Sequence, residues 1–311
     1  MPKRRYRVAI VGCGKIAGGY DIPRSKSRGK VRTHVKAYRS DRRFEVVAVC
    51  DQNLSKARRF CRHWKIPAAY RNLEAMLLRE RPDVVSVCAP TAAHRTILES
   101  IARRRVRLVF AEKPFTANVR DARIALRKLK AARVAVAVNY LRRWCPNHQR
   151  IKQIIESGRL GRLRSLDAVY SGDLMNIGSH LIDLIRYLAG EITSVCGEQL
   201  TLKNGAAGFL EHSDRDRFVL ELLFEHGLVR IIRYGYAGEC LVWRGKKAKV
   251  LFQFRPPGRG IDSAMKHAVG NVGDHLSRSA RILSDGRNAL GVLAVCEALR
   301  ASAKSRKKTR C

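Results

Sequence analysis

The chain has 311 residues, 46% of them hydrophobic, enough for two modest domains with real cores and unlike a disordered or fibrous chain. Lysine and arginine number 63 against 26 acidic residues, a net charge of +37, yet the clusters "ARRRVR" (102–107) and "KSRKKTR" (304–310) lack interleaved aromatic residues on which bases would stack. A solvated basic surface is therefore expected rather than specific nucleic-acid binding. No apolar run is long enough to span a bilayer, and nine scattered cysteines without a C-x-x-C pair point to reduced cytoplasmic thiols, not a disulfide framework or metal site.

In chain order, "YRVAIVG", "FEVVAVCD", "DVVSVCAP" and "VRLVFAEKP" read as apolar strands, with "NLSKARRFCRHW", "NLEAMLLRER" and "AAHRTILESIARR" as helices between them. That alternation predicts an α/β first domain, a parallel sheet with helices on its faces. A helix over 119–132 and the strand "VAVAVNY" follow, and the domain boundary is expected after residue 117. A second domain, 118–303, is expected to contain a helix at 148–156, the strand "RLRSLDAVYSG" and the helix "LMNIGSHLIDLIRYL". Beyond these, "EITSVCGEQLTL", "DRFVLELLFEHG", "LVRIIRYGY", "ECLVWRG" and "KVLFQF" form a succession of strands, and the glycine turn in "FEHGLV" predicts an antiparallel meander. "NALGVLAVCEALRASA" reads as a helix, and 304–311 as a disordered basic tail.

The first strand runs into Gly12-Cys13-Gly14-Lys15-Ile16-Ala17. Gly12 permits a tight turn, Gly14 lets backbone approach a pyrophosphate, and Ala17 lets the following helix pack closely, its N-terminus facing the phosphates; Lys15 and Ile16 complete the loop. Asp51 ends the second strand, where a carboxylate accepts hydrogen bonds from ribose hydroxyls and repels a phosphate, which favours NAD, with NADP as the alternative. Its other reading is a helix N-terminal aspartate, a position Ser55 also suits. Asp51 lies 39 residues after Gly12, and the excess over the usual spacing falls on "GYDIPRSKSRGKVR". This reads as a loop inserted at the cofactor edge, whose Arg24, Lys26 and Arg28 are candidates for phosphate or substrate contact.

Pro90 and Thr91 fall at the carboxyl edge of the third strand, where open α/β sheets bind ligands, with His94 one turn into the next helix as a cofactor contact or a packed residue. The step Glu112-Lys113-Pro114 ends the fourth strand; Glu112 and Lys113 are placed with the cofactor, and Lys113 donates to a substrate oxygen as negative charge forms there. In the helix at 174–188, Ile177, Leu181, Leu184, Ile185 and Leu188 recur as a buried stripe, and Asn176, His180, Asp183 and Tyr187 as a polar one.

"VAIVGCGKIAGGYD", "VVAVCD", "CAPTAAH", "AEKPFT", "VNYLRRWCP" and "GSHLIDLIRYLAG", in this order, resemble the Gfo/Idh/MocA family over essentially the whole chain. The resemblance implies an N-terminal Rossmann domain and a C-terminal α/β domain whose open, mainly antiparallel sheet mediates contact in a dimer or tetramer. It also implies a nicotinamide cofactor and a sugar-like or cyclitol substrate. It places the catalytic pair on Lys113 and His180, and puts Asn139, Tyr140 and Arg143 on the substrate side. The family often has aspartate four residues before the histidine; here Asn176 stands there, which can bind a hydroxyl but not carry charge. Asp183 would orient the His180 ring. The expected activity is hydride transfer between NAD and a secondary alcohol or ketone of a sugar, nucleotide-sugar or cyclitol. The basic charge would suit an anionic substrate. The alternative is a catalytically idle homologue that uses its cofactor pocket as a sensor or binding module.

Overall fold

Four consecutive buried residues, Val8 to Val11, close β1 (Tyr6–Val11), the pattern of a strand covered on both faces. The computed structural model of the protein describes residues 5–22, 30–256, 260–305 and 307–311. Arg24, Lys26 and Arg28 lie outside the described residues. After β1 come α1 (His34–Arg39), β2 (Phe44–Cys50), α2 (Leu54–Trp64), β3 (Ala68–Tyr70), α3 (Leu73–Glu80), β4 (Val84–Val87), α4 (Thr91–Ala102), β5 (Leu108–Ala111), α5 (Val119–Ala131) and β6 (Ala135–Val138). The strands pair in parallel in the order β3-β2-β1-β4-β5-β6, so the winding reverses between β1 and β4. That reversal opens a crevice at the carboxyl ends of the two strands, the place where doubly wound sheets receive ligands. Asparagines cap two of the helices that leave this edge: Asn53 Oδ1 accepts from the Lys56 N–H at 2.9 Å and Asn118 Oδ1 from the Asp121 N–H at 2.8 Å. The cap of α2 is thus neither Asp51 nor Ser55.

The helix expected directly after the glycine loop is broken in two. Residues 14–18 make one helix-like turn, closed by Gly19 N–H to Gly14 O at 3.2 Å and Tyr20 N–H to Lys15 O at 2.9 Å, and the chain then leaves. It resumes at α1, whose His34 and Val35 N–H groups donate to Ile16 O and Ala17 O at 3.2 and 3.0 Å. The inserted residues are therefore spliced into a helix whose hydrogen-bond ladder continues on the far side.

The chain divides into two units, one of Met1–Leu141 with Asp262–Leu290, the other of Arg142–Ile261 with Gly291–Cys311. The boundary expected after residue 117 is too early, because α5 and β6 complete the first sheet: β6 pairs with β5 from Ala135 to Val138. A later segment returns to cover the outer edge of β6, with Val138 N–H donating to Ser284 O at 2.8 Å beside an Ala137–Asp285 bridge.

The second unit contains α6 (Pro146–Glu156), β7 (Leu163–Ser171), α7 (Ser179–Leu188), β8 (Ile192–Cys196), β9 (Gln199–Leu202), β10 (Ala207–Ser213), β11 (Phe218–Phe224), β12 (Gly227–Ile232), β13 (Ala237–Arg244) and β14 (Lys247–Phe254). Then follow α8 (Ile261–Arg278) and α9 (Gly286–Ser305), helices that the division of the chain crosses, and β15 (Thr309–Arg310). The sheet order is β14-β13-β12-β11-β7-β10-β9-β8-β15, a meander on one side of β7, and among the described residues only its β7–β10 pair is parallel. The tail expected to be disordered instead adds a strand: Thr309 pairs with Val195, and the Cys311 N–H donates to Thr193 O at 3.0 Å.

With acids scarce, single carboxylates serve two cations. Glu74 takes Arg103 and Arg104, Glu225 takes Arg162 and Arg164, and Asp274 takes Arg43 and Arg278.

Candidate active site

At the crevice, Gly12 turns the chain with φ +93°, and a Cβ there would lie 2.6 Å from Ala89 N and 2.7 Å from Cys88 O. Only glycine fits that approach. At Gly14 an added Cβ would meet nothing within 4 Å, so the backbone of the loop faces open space on the side where a pyrophosphate would lie. Asp51 ties this loop to β2: Oδ2 accepts from the Cys13 N–H at 2.9 Å and Oδ1 from the Asn53 N–H at 3.0 Å. Lys56 Nζ lies 3.0 Å from Oδ2. Burial pushes the Asp51 carboxyl up, but the Cys13 and Asn53 amides and Lys56 outweigh it and hold the group below its ordinary range. The Cys13 thiol, raised to about 12 by burial and by the Asp51 charge, is no nucleophile. A glycine loop with open backbone beside an ionised carboxylate suits a dinucleotide.

Pro90, exposed, and Thr91, half-buried, start α4 at the same edge. Lys15 is exposed and Ile16 half-buried in the turn below the loop. His94 is 1% exposed, with Nδ1 3.1 Å from Phe115 O and Nε2 2.9 Å from Ala89 O. The cofactor contact expected of His94 is replaced by a structural one: both ring nitrogens face backbone carbonyls and tie the start of α4 to the segment after Pro114.

The Lys113–Pro114 bond is cis. Glu112, just before it, anchors a buried polar chain that the sequence reading missed. Its Oε1 lies 2.9 Å from His34 Nε2 and accepts from Asn139 Nδ2 at 2.7 Å; His34 Nδ1 is 3.1 Å from Ser86 Oγ, which is 2.9 Å from Tyr38 Oη. His34, Ser86 and Tyr38 are fully buried. Burial raises the Glu112 carboxyl, and His34, Asn139 and Lys113 together bring it below the ordinary value. The chain ends at Tyr38, packed edge-on to Phe44 at 5.1 Å, so it holds Glu112 in place and leads no proton to solvent. No local pattern marks it: its members come from α1, β4, the end of β5 and the end of β6. Tyr140, next to Asn139, is also fully buried.

In the second unit the polar stripe starts on a π-helical turn, Leu174–Gly178, rather than an α-helix. Asp173 caps it, accepting from the Asn176 N–H at 2.8 Å. The wider turn takes up an extra residue, so Asn176, which is exposed, does not repeat one α-helical turn below half-buried His180. Asp183 is 1% exposed and accepts from Arg143 Nε at 2.8 Å. The guanidinium of Arg143 lies over the Tyr187 ring, 4.9 Å from its centroid. Arg143 and Asp183 thus form a buried ion pair on the polar side of α7. The contact seen for Asp183 is with Arg143.

Among the described residues, no helix is long and apolar enough to cross a membrane. A cavity of about 540 Å³ in the first unit is lined by Lys130, Val134, Val136, Arg281 and Arg287, at the amino end of β6 and so at the opposite edge from the glycine loop.

Residues 6–140 match the model of an oxidoreductase family with an NAD-binding Rossmann fold, and residues 170–239 that of the Gfo/Idh/MocA C-terminal domain. D-apiose dehydrogenase of Paraburkholderia graminis is 26% identical over 75% of this chain and 61% of its own length, so the alignment spans about three fifths of that relative. Myo-inositol 2-dehydrogenase of Thermotoga maritima is 25% identical over 65% of this chain and 66% of its own length. The WlbA dehydrogenase of Bordetella pertussis, crystallised with NADH and UDP-GlcNAcA, superposes with a TM-score of 0.80 at 20% identity over 99% of both chains, a likeness of fold. With both halves matched in order, and the glycine loop, the Glu112-Lys113-Pro114 step and the His180 helix in place, this chain belongs to the Gfo/Idh/MocA family.

Proposed function

We propose that the protein is a nicotinamide-dependent dehydrogenase or reductase acting on a secondary alcohol or ketone of a sugar, nucleotide-sugar or cyclitol, with NAD as the cofactor. The observation that carries this is the hydrogen bond from the Cys13 N–H to Asp51, which joins the glycine loop to the carboxylate at a sheet edge that also bears Lys113. Gly12, Gly14, Lys15, Ile16, Asp51, Pro90, Thr91, Glu112 and Lys113 are the residues that would hold the cofactor. When bound, its nicotinamide supplies the hydride acceptor or donor.

Lys113 then donates a hydrogen bond to the reacting oxygen and stabilises negative charge on it, and His180 takes or returns the hydroxyl proton. Asn139, Tyr140, Arg143, Asn176 and Asp183 are assigned to the substrate side. The apiose and inositol activities of the relatives support a polyol substrate. The excess of basic residues favours an anionic one. Free thiols at all nine cysteines support the cytoplasm as its compartment. The exposed Phe209, Leu223, Trp243 and Val250 on strands of the second sheet support self-association there.

Titration with NADH, followed by a screen of sugars, nucleotide-sugars and cyclitols for NAD reduction, tests the reading. Lys113→Met and His180→Ala should each lower turnover by about 10²–10⁴-fold while NADH affinity stays within a few-fold. Normal turnover in both variants would refute the assignment.

A further inference from the structure

We propose that the cavity at the amino end of β6 is a second binding site, built for a phosphate ester with an apolar body. Its lining belongs wholly to the first unit and lies at the sheet edge opposite the glycine loop, so the site stands apart from the dinucleotide reading above. Its volume of about 540 Å³ is that of a small-molecule site.

Four cationic side chains surround it: Lys130 on α5, Arg133 just beyond that helix, Arg281 between α8 and α9, and Arg287 on the first turn of α9. All four are exposed, and among the described residues none of them makes an ion pair. Their neighbours do: Lys128 pairs with Glu99, and Arg278 with Asp274. Among the described lining residues the one carboxylate is Asp285, which accepts from the Asn288 N–H at 2.8 Å and so caps α9. Like charges gathered round one cavity repel, and an anion among them turns that repulsion into attraction. The cations come from three separate segments. A tetrahedral phosphate can be met from three directions by its terminal oxygens, whereas a carboxylate offers two oxygens in one plane.

Beneath this rim the lining is apolar, with Val134 and Ile282 buried and Leu126 and Val136 half-buried. Inorganic phosphate would leave those side chains in water, and an apolar body attached to the phosphate would cover them. The stretch that carries Arg281 is already fixed. His275 Nδ1 lies 2.8 Å from Ala280 O, Asn271 Nδ2 donates to Arg281 O at 2.9 Å, and Asn271 Oδ1 accepts from the Leu283 N–H at 3.0 Å. A wall held in this way needs little ordering when a ligand arrives.

The test is a fluorescence titration of the intact protein with 1-naphthyl phosphate, with uncharged 1-naphthol and inorganic phosphate as partial probes. The natural protein should bind 1-naphthyl phosphate saturably, with a Kd below about 1 mM, and each partial probe at least about tenfold more weakly. Replacing both exposed arginines, Arg281→Ser with Arg287→Ser, should weaken it by about 10–100-fold, the loss expected for charge-assisted contacts. Ala280→Trp, which places an indole in the lining, should weaken it by at least about tenfold by taking the space of the body. NADH should not displace the probe. Absence of saturable binding, equal binding of 1-naphthol or of inorganic phosphate, unaltered affinity in either variant, or displacement by NADH overturns the proposal. Failure of the protein to bind NADH overturns only the dinucleotide reading.

Discussion

Glu112 and Asp183 are both carboxylates withdrawn from water next to a residue assigned to chemistry, yet the two units hold them differently. Glu112 is gripped by an imidazole and an amide at the end of a chain of neutral hydroxyls, Ser86 and Tyr38. Asp183 is gripped by the guanidinium of Arg143, which itself rests on Tyr187. A guanidinium is always charged, while an imidazole carries charge only when protonated. The Asp183 carboxylate therefore faces a permanent charge across its hydrogen bond, while the Glu112 carboxylate takes hydrogen bonds from an imidazole and an amide beside the charge of Lys113. Removing the guanidinium should cost more than neutralising Glu112.

Arg143→Met is the most severe test. Removing the cation from a buried carboxylate should cost about 3–5 kcal/mol, read as a lowered urea midpoint. A loss below about 1 kcal/mol would show that Asp183 is solvated in solution and that the contrast is false. Glu112→Gln, which keeps the shape and removes the charge, should cost less, about 1–3 kcal/mol near neutral pH. Its pH dependence adds a second readout. A carboxyl whose folded pKa is depressed contributes stability that is present above the unfolded value of about 4.3 and lost as pH falls through the folded one. The gap between the natural protein and Glu112→Gln should therefore narrow below about pH 4, and a gap independent of pH would break the assignment of an ionised Glu112. Tyr38→Phe removes the far end of the chain and should cost about 1 kcal/mol, with NADH affinity unchanged. The smallest effect belongs to Tyr187→Leu, where loss of the cation–π contact should cost about 0.5–1 kcal/mol.

The same contrast explains what could be read from the sequence. The glycine loop, Asp51 and the Glu112-Lys113-Pro114 step are legible because each is a short run at a strand end, where local spacing dictates position. The meander of β11 to β14 is legible for the same reason, since alternation and a glycine turn are local signals. The His34–Glu112 contact spans 78 residues and the Arg143–Asp183 contact 40, and no window of periodicity reaches so far. Other misses have their own causes. Strand β10 carries a glycine and ends in the polar run Glu211-His212-Ser213, which mask its alternation; Gly208 is required there because a Cβ would fall 1.8 Å from Leu166 O. β15 owes its order to pairing with β8, which its basic composition does not announce. The π-helical turn before His180 shifts the register of a stripe that looks regular in α-helical spacing.

The edge of β6 has a further consequence for how the chain is made. Its outer hydrogen bond and bridge are supplied by Ser284 and Asp285, which follow strands β7 to β14 of the second sheet in the sequence. A ribosome that has released the first 141 residues has therefore produced six strands with one edge still bare, and an exposed strand edge is a template for pairing with another chain. The first unit reaches its final form only after about 150 further residues have emerged, which at roughly 5–20 residues per second takes on the order of ten seconds or more. During that interval the nascent sheet is open to strangers, and an expression fragment cut at the apparent domain boundary would stay so permanently.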